Sequence, residues 1–275
     1  MNVAWENSSQ HGKPTIEASF VCLFLGHVED LIQLMQKSFP ELGLVRKDCT
    51  EMSWISSVVF MNAKLIKSTG YEAPEILLNR TQMRVRKFKG KSDYVRKPIP
   101  VDGLRGLWRL LCDDNAQFAL LEFVPYGGRM DEISESEIPF PHRSAYIYHI
   151  HYVNIWEEEG EEAEERHMNW IRKVYKYMEP YVSKSPRAAY INYRDLDIGL
   201  NDNGYTSNTQ ASIWGPKYFN NNFKRLARVK RKVDPHNFFR NEQSIPTLSK
   251  EINNSLIVNR QVSKFQAEDG IRDSP

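Results

Sequence analysis

The run from Ala145 to Trp156, AYIYHIHYVNIW, is β-branched or aromatic almost throughout, the composition of an extended strand. The segment after it constrains the chain further. Residues Glu157–Glu165 hold seven glutamates, which suit the polar first turns of a helix and the positive end of its dipole. In the helix predicted next, Ile171, Val174, Tyr175, Met178 and Val182 share one face.

The same reading extends over the chain. Thr15–Gly26 predicts a strand, and Val28, Leu31, Ile32 and Met35 recur at helical spacing until Pro40 and Gly43 stop the helix. Asp48–Met61 predicts a short helix carrying Trp54, and Leu104–Leu111 another. Arg80–Lys97 holds eight basic residues against one acid, Asp93, and is expected to face solvent. Phe118–Val124 reads as a strand, with the Gly127-Gly128 pair turning a hairpin. Ala188–Gly199 reads as a strand and Tyr218–Lys232 as one long helix, with a short turn after it at Asp234-Pro235. Strands of antiparallel type among amphipathic helices, without βαβ regularity or repeats, predict an α+β fold. Its form would be an antiparallel sheet with helices on one face, plus a C-terminal helical segment.

The 275 residues include 37 Lys+Arg against 35 Asp+Glu and are 41% apolar, which excludes a disordered tail and a dedicated nucleic-acid binder. Val58–Ile66 is too short and too polar to span a membrane. Cys22, Cys49 and Cys112 form no CxxC, so neither a zinc site nor a disulfide framework is expected. Asn7, Asn79 and Asn253 open sequons that matter only in a secretory context, and the first residues carry no signal-peptide pattern. The last residues fit no element and resemble a translated adapter sequence.

Among residues able to do chemistry, His149 and His151 lie two apart on the strong strand and therefore share a face. They could supply two metal ligands or two acid–base groups. Only His142 is close enough in sequence to be a third ligand, so two hydrogen-bonded histidines lining a cavity is the preferred reading and no metal is expected. Tyr193, on the predicted strand, would share a face with Ile191 and Asp195, opposite Tyr190, Asn192 and Arg194. A phenol with a free pKa of about 10 acts as a base only where positive charge stabilises the phenolate; otherwise Tyr193 is a core residue. Lys217–Lys232 carries seven basic residues, but Phe219, Phe223 and Leu226 make it an ordinary amphipathic helix with its charges solvated. No GxGxxG, GxxxxGK, GxSxG or HExxH occurs.

The strings DCTEMSW (48–54), PYGGRMDEISESEIPFPHR (125–143), NYRDLD (192–197), WGPKYF (214–219) and VDPHNFFRNEQSIP (233–246) resemble the berberine-bridge-enzyme-like plant flavoproteins, a family of FAD-linked oxidases. The resemblance runs in order from about Ile16 to Leu248 and implies a division of the chain into four parts. Residues 1–15 are a linker or truncated start, 16–200 a substrate domain, 201–249 a C-terminal segment returning to an FAD-binding domain, and 250–275 a tail. The histidine and cysteine to which the family attaches its flavin have no counterpart here, and the chain alone is expected to be inactive.

By resemblance, Tyr193 matches the tyrosine that acts as catalytic base in several members, and Asn192 and Tyr190 match positions beside the flavin ring. His149 and His151 stand where many members carry Lys or Glu and Gln, and Val124 where cannabinoid acid synthases have a tyrosine. These departures set the substrate apart from theirs. The resemblance implies an oxidoreductase that oxidises an alcohol, phenol-alcohol or carbohydrate by hydride transfer to FAD, with molecular oxygen as acceptor. It implies a monomeric, secreted or vacuolar glycoprotein bearing a glycan at Asn79, with no nucleic-acid or membrane partner. The alternative is a catalytically inactive product or a binding module.

Overall fold

The computed structural model describes residues 1–7, 14–66, 74–78, 86–116, 118–201 and 206–247. Its strands are β1 (Asn2–Asn7), β2 (Pro14–Ser19), β3 (Lys87–Val95), β4 (Leu120–Pro125) and β5 (Tyr148–Trp156). Its helices are α1 (Val28–Ser38), α2 (Trp54–Ile66), α3 (Val101–Leu111), α4 (Arg129–Glu132), α5 (Glu161–Met178), α6 (Asn208–Phe219) and α7 (Asn222–Val233). The strands form one antiparallel sheet in the order β2-β1-β4-β5-β3, and the fold is α+β.

The chain divides into two compact units, one of Met1–Asn2 with Ala18–Lys87 and the other of Val3–Glu17 with Phe88–Pro275. In the first, Ser53 begins α2 by accepting the Ser56 N–H at its hydroxyl and the Ser57 N–H at its carbonyl. The helix therefore starts later than Asp48; Asp48 instead closes a 3₁₀ turn by accepting the Val45 N–H. The β-rich run that opens this region leaves the ladder after Ser19.

In the second unit, β5 alternates as its composition demands. Ile150, Tyr152, Asn154 and Trp156 are buried on one face. Across from them on β4 stand Phe123 and Leu121, paired in register with Ile150 and Tyr152. Helix α5 covers this face with Ile171, Val174 and Met178, while Tyr175 is half-buried and Val182 is buried beyond the helix end. The Trp170 indole donates to the Leu110 carbonyl at 3.0 Å, and the Tyr177 hydroxyl to that of Gly103 at 2.9 Å. These two bonds tie α5 to α3. The opposite face carries the odd-numbered residues of β5, and there the candidate site lies.

Four expectations give way to the structure. Arg80–Lys97 does not face solvent where it is described: β3 buries Lys91, Ser92, Asp93, Tyr94 and Val95, because acidic partners neutralise its charge. Gly127 and Gly128, at φ 123° and 53°, turn no hairpin but lead β4 into α4, and the connection to β5 runs from 126 to 147. Ala188–Gly199 is not a strand. The Asp195 side chain bonds local backbone, accepting the Asp197 N–H, and so competes with a ladder. The long basic helix is two helices, broken where Asn220 adopts φ 46° and its N–H donates back to Pro216. Phe219 and Phe223 are nonetheless core, packed with Trp214, Tyr218 and Ala211.

Candidate active site

The β4–β5 register sets Glu122 opposite His151 and Val124 opposite His149, on the face away from α5. Imidazole and carboxylate meet directly: His151 Nδ1 lies 2.8 Å from Glu122 Oε2. That hydrogen bond holds the Glu122 carboxyl below its ordinary range, against the effect of burial. A carboxylate has no proton to give, so Nδ1 carries the hydrogen.

His149 is buried, with Nδ1 3.1 Å from the Tyr126 hydroxyl and Nε2 without a hydrogen-bond partner. Burial, reinforced by the neighbouring His151, pushes its pKa down to about 4. At neutral pH it is an uncharged ring, able to orient neighbours but not to stabilise a phenolate by charge. Beside it His142 stacks on Tyr94 at 4.1 Å and faces the Tyr218 carbonyl at 3.0 Å, and burial holds it at about 4 as well.

The 190–197 stretch folds over this surface as a turn. The Tyr193 N–H donates to the Tyr190 carbonyl, so Tyr190 and Tyr193 do not point to opposite faces but meet edge to face, 5.0 Å apart. Tyr193 lies flat on His151, ring centroids 3.5 Å apart and planes 7° apart. Burial raises its phenol above the ordinary tyrosine value, and the Glu122 charge adds to the shift. Asn192, exposed at the rim, donates to the Tyr190 hydroxyl at 2.7 Å.

The turn is fixed by ion pairs. Asp195 receives Lys91 at 2.6 Å and Lys89 at 2.7 Å, and Asp197 receives Lys91 at 2.9 Å and Arg172 at 2.9 Å. Burial would raise the Asp197 carboxyl, but Arg172 and Lys91 hold it far below the usual range. The Gln243 amide donates to the carbonyls of Asp195 and Gly199, at 2.9 and 2.6 Å, and accepts the Tyr218 hydroxyl.

The structure thus gathers Tyr193, His149, His151, Tyr190 and Asn192 into one cluster, with Val124 exposed beside it and opposite His149. Asn79 lies outside the described residues. Glu122, Tyr126, Lys91 and Asp195 are the participants that sequence reasoning missed. Only strand pairing brings Glu122 to His151, and a lysine in a basic run gives no sign of burial. No group of three His, Cys, Asp or Glu placed to hold a metal occurs among the described residues. A cavity of about 610 Å³ in the first unit, lined in part by Phe20, Leu31, Trp54 and Phe60, shares no residue with the cluster.

The site is thus an α+β sheet whose face away from α5 carries a histidine–carboxylate pair under a tyrosine-bearing turn, and comparison identifies the family in which this occurs. Residues 189–246, containing that turn, match the family profile described as Berberine and berberine like. The chain is 50% identical over 237 residues to cannabidiolic acid synthase-like 1 of Cannabis sativa, covering 86% of this chain and 43% of that protein. It is equally identical, over 234 residues, to the monolignol oxidoreductase AtBBE-like 13 of Arabidopsis thaliana, covering 85% and 42%. The solved structure of BBE-like #28 from Arabidopsis thaliana superposes with a TM-score of 0.80 at 40% identity, over 90% of this chain and 50% of that one. The chain belongs with the berberine-bridge-enzyme-like proteins of plants and spans less than half the length of the curated relatives named.

Proposed function

We propose that this chain supplies the substrate-side face of an FAD-linked oxidoreductase acting on an alcohol, phenol-alcohol or carbohydrate, with dioxygen as final acceptor. The observation that carries the reading is the stack of Tyr193 on the Glu122-paired His151, an acid–base unit on the face of the sheet away from α5. A flavin ring fits such a face. The Asn192 amide and Tyr190 hydroxyl stand at its rim, and the orphaned His149 Nε2 lies among the same rings. Tyr190 and Asn192 would hold the ring, and FAD, when bound, supplies the hydride acceptor.

The protein's own residues do the rest. Tyr193, protonated at neutral pH, offers its hydroxyl to the substrate oxygen, and the histidine face takes up the proton that oxygen releases. The packed rings of Tyr94, Tyr126 and Tyr190 exclude water from one side. In this reading residues 16–200 act as substrate domain and 201–249 as the segment returning to the flavin domain. The parent is a monomeric, secreted or vacuolar glycoprotein with a glycan on Asn79. No helix among the described residues is long and apolar enough to cross a membrane.

The test is anaerobic mixing of the flavin-loaded full-length protein with a monolignol-type alcohol, and separately with glucose. Bleaching of the flavin absorbance by either supports the assignment. A bound flavin that no alcohol or sugar reduces overturns it.

A further inference from the structure

We propose that Glu122 is the positioning residue of this site: it locks His151 in the Nδ1–H tautomer, so that Nε2 presents a lone pair and is the atom that takes the substrate's proton. The inference rests on the oxidoreductase reading for its chemistry but on this chain's own geometry for the tautomer.

Three observations converge on it. The first is the 2.8 Å contact between His151 Nδ1 and Glu122 Oε2, made across a register that fixes both side chains on the same face. With the carboxyl ionised, the shared hydrogen must sit on Nδ1, and the neutral imidazole then has its acceptor at Nε2. The second is the stacking of the Tyr193 ring on His151, which holds the imidazole plane while the carboxylate holds its rotation. The third is Gly90 on β3. A Cβ there would lie 3.3 Å from His151 Nε2, so the absence of a side chain keeps the space at that nitrogen open.

Among the groups that lower the Glu122 carboxyl, His151 acts most strongly, ahead of His149 and the N-terminal ammonium. Lys89 and Lys91 of β3, the nearest cations in sequence to Gly90, are paired with Asp195 and Asp197 and make no ion pair with Glu122. His149, the other imidazole on this face of β5, remains neutral at neutral pH. Glu122 therefore serves His151. In the transfer, the substrate O–H bond breaks and its electron pair stays on oxygen. An Nε2–H bond forms, and the imidazolium charge is matched by the Glu122 carboxylate already in contact.

The experiment needs no flavin. In the 275-residue chain with ¹⁵N-labelled histidine, the neutral form of His151 should show a protonated Nδ1 and a bare Nε2, the reverse of the preference of a free histidine side chain. Glu122→Leu should invert the tautomer. Glu122→Gln, which keeps the shape and still offers an acceptor oxygen to Nδ1–H, should preserve it. An Nε2–H tautomer in the wild type, or an unchanged one in Glu122→Leu, overturns the proposal.

A second measurement uses the flavin-loaded full-length protein. Glu122→Leu should slow flavin reduction by at least about 10-fold with KM little changed, short of the roughly 10²- to 10⁴-fold that a whole general base contributes, and Glu122→Gln should recover much of the loss. A raised KM at unchanged kcat would mean that Glu122 holds substrate instead, and would overturn the proposal. Should the wild-type flavin not be reduced at all, the oxidoreductase reading fails while the tautomer result stands by itself.

Discussion

Lys91 and Asp195, 104 residues apart in sequence, meet at 2.6 Å with each side chain only 2% exposed. Desolvating two charges is repaid only when both partners stay in place, and the removal of one leaves the other uncompensated. Lys91→Met should therefore destabilise the protein by about 3–5 kcal/mol. The double variant Lys91→Met/Asp195→Leu should recover part of that. Urea unfolding midpoints decide it; a Lys91→Met midpoint equal to wild type would show that Lys89 alone suffices for Asp195.

Acid should weaken this fold over a definite range. His149 and His142 titrate at about 4 in the native state against 6.5 as the reference value. Between those values the unfolded chain binds protons that the folded chain refuses. Stability from each histidine is thus whole above about pH 6.5, falls as pH drops toward 4, and levels off below. At about 1.4 kcal/mol per pKa unit each can account for roughly 3 kcal/mol. Thermal unfolding of His149→Gln across this range should show a shallower acid limb than wild type, and a parallel limb would count against a neutral buried His149.

Tyr193 and His151 should differ in how much the reaction depends on them. Tyr193→Phe keeps the ring that stacks on His151 and removes one hydrogen bond, worth about 10-fold in flavin reduction. His151→Phe removes the proton acceptor and should cost roughly 10²- to 10⁴-fold. Rapid-reaction traces of the full-length flavoprotein give both rates, and the opposite order would make Tyr193 the base.

Asn220 separates α6 from α7 at φ 46°, in the left-handed region. Glycine reaches that region freely and β-branched residues do not. Asn220→Gly should be neutral or slightly stabilising, whereas Asn220→Val should cost about 1–2 kcal/mol. Comparable melting temperatures for the two variants would mean that the helices can fuse.

Much of the fold was legible because burial and periodicity coincide. β5 could be read from AYIYHIHYVNIW, and α5 from the spacing of Ile171, Val174 and Met178, since each buries one regular face. The pairing of His149 with His151 on one face came from the period of a strand alone. The sequence misled where a side chain bonds nearby backbone: Asp195 sits among β-formers yet accepts the Asp197 N–H, and the stretch is a turn that brings Tyr190 and Tyr193 together. It misled again at Lys91, whose burial depends on acids about a hundred residues away. Glu122 carries no local mark at all, because its role exists only in the register between two strands joined by residues 126–147.

Gln243 bonds the Asp195 and Gly199 carbonyls from 48 and 44 residues further along the chain. At ribosomal rates of about 5–20 residues per second, Asp195 is made some 2–10 s before the side chain that closes its loop. For that interval the turn that carries Tyr193 has the lysine anchors of Asp195 but lacks the Gln243 amide, and the site is complete only once residue 243 is in place. A chain ending before residue 243 would thus lack the amide that joins the Asp195 and Gly199 carbonyls beneath the tyrosine turn.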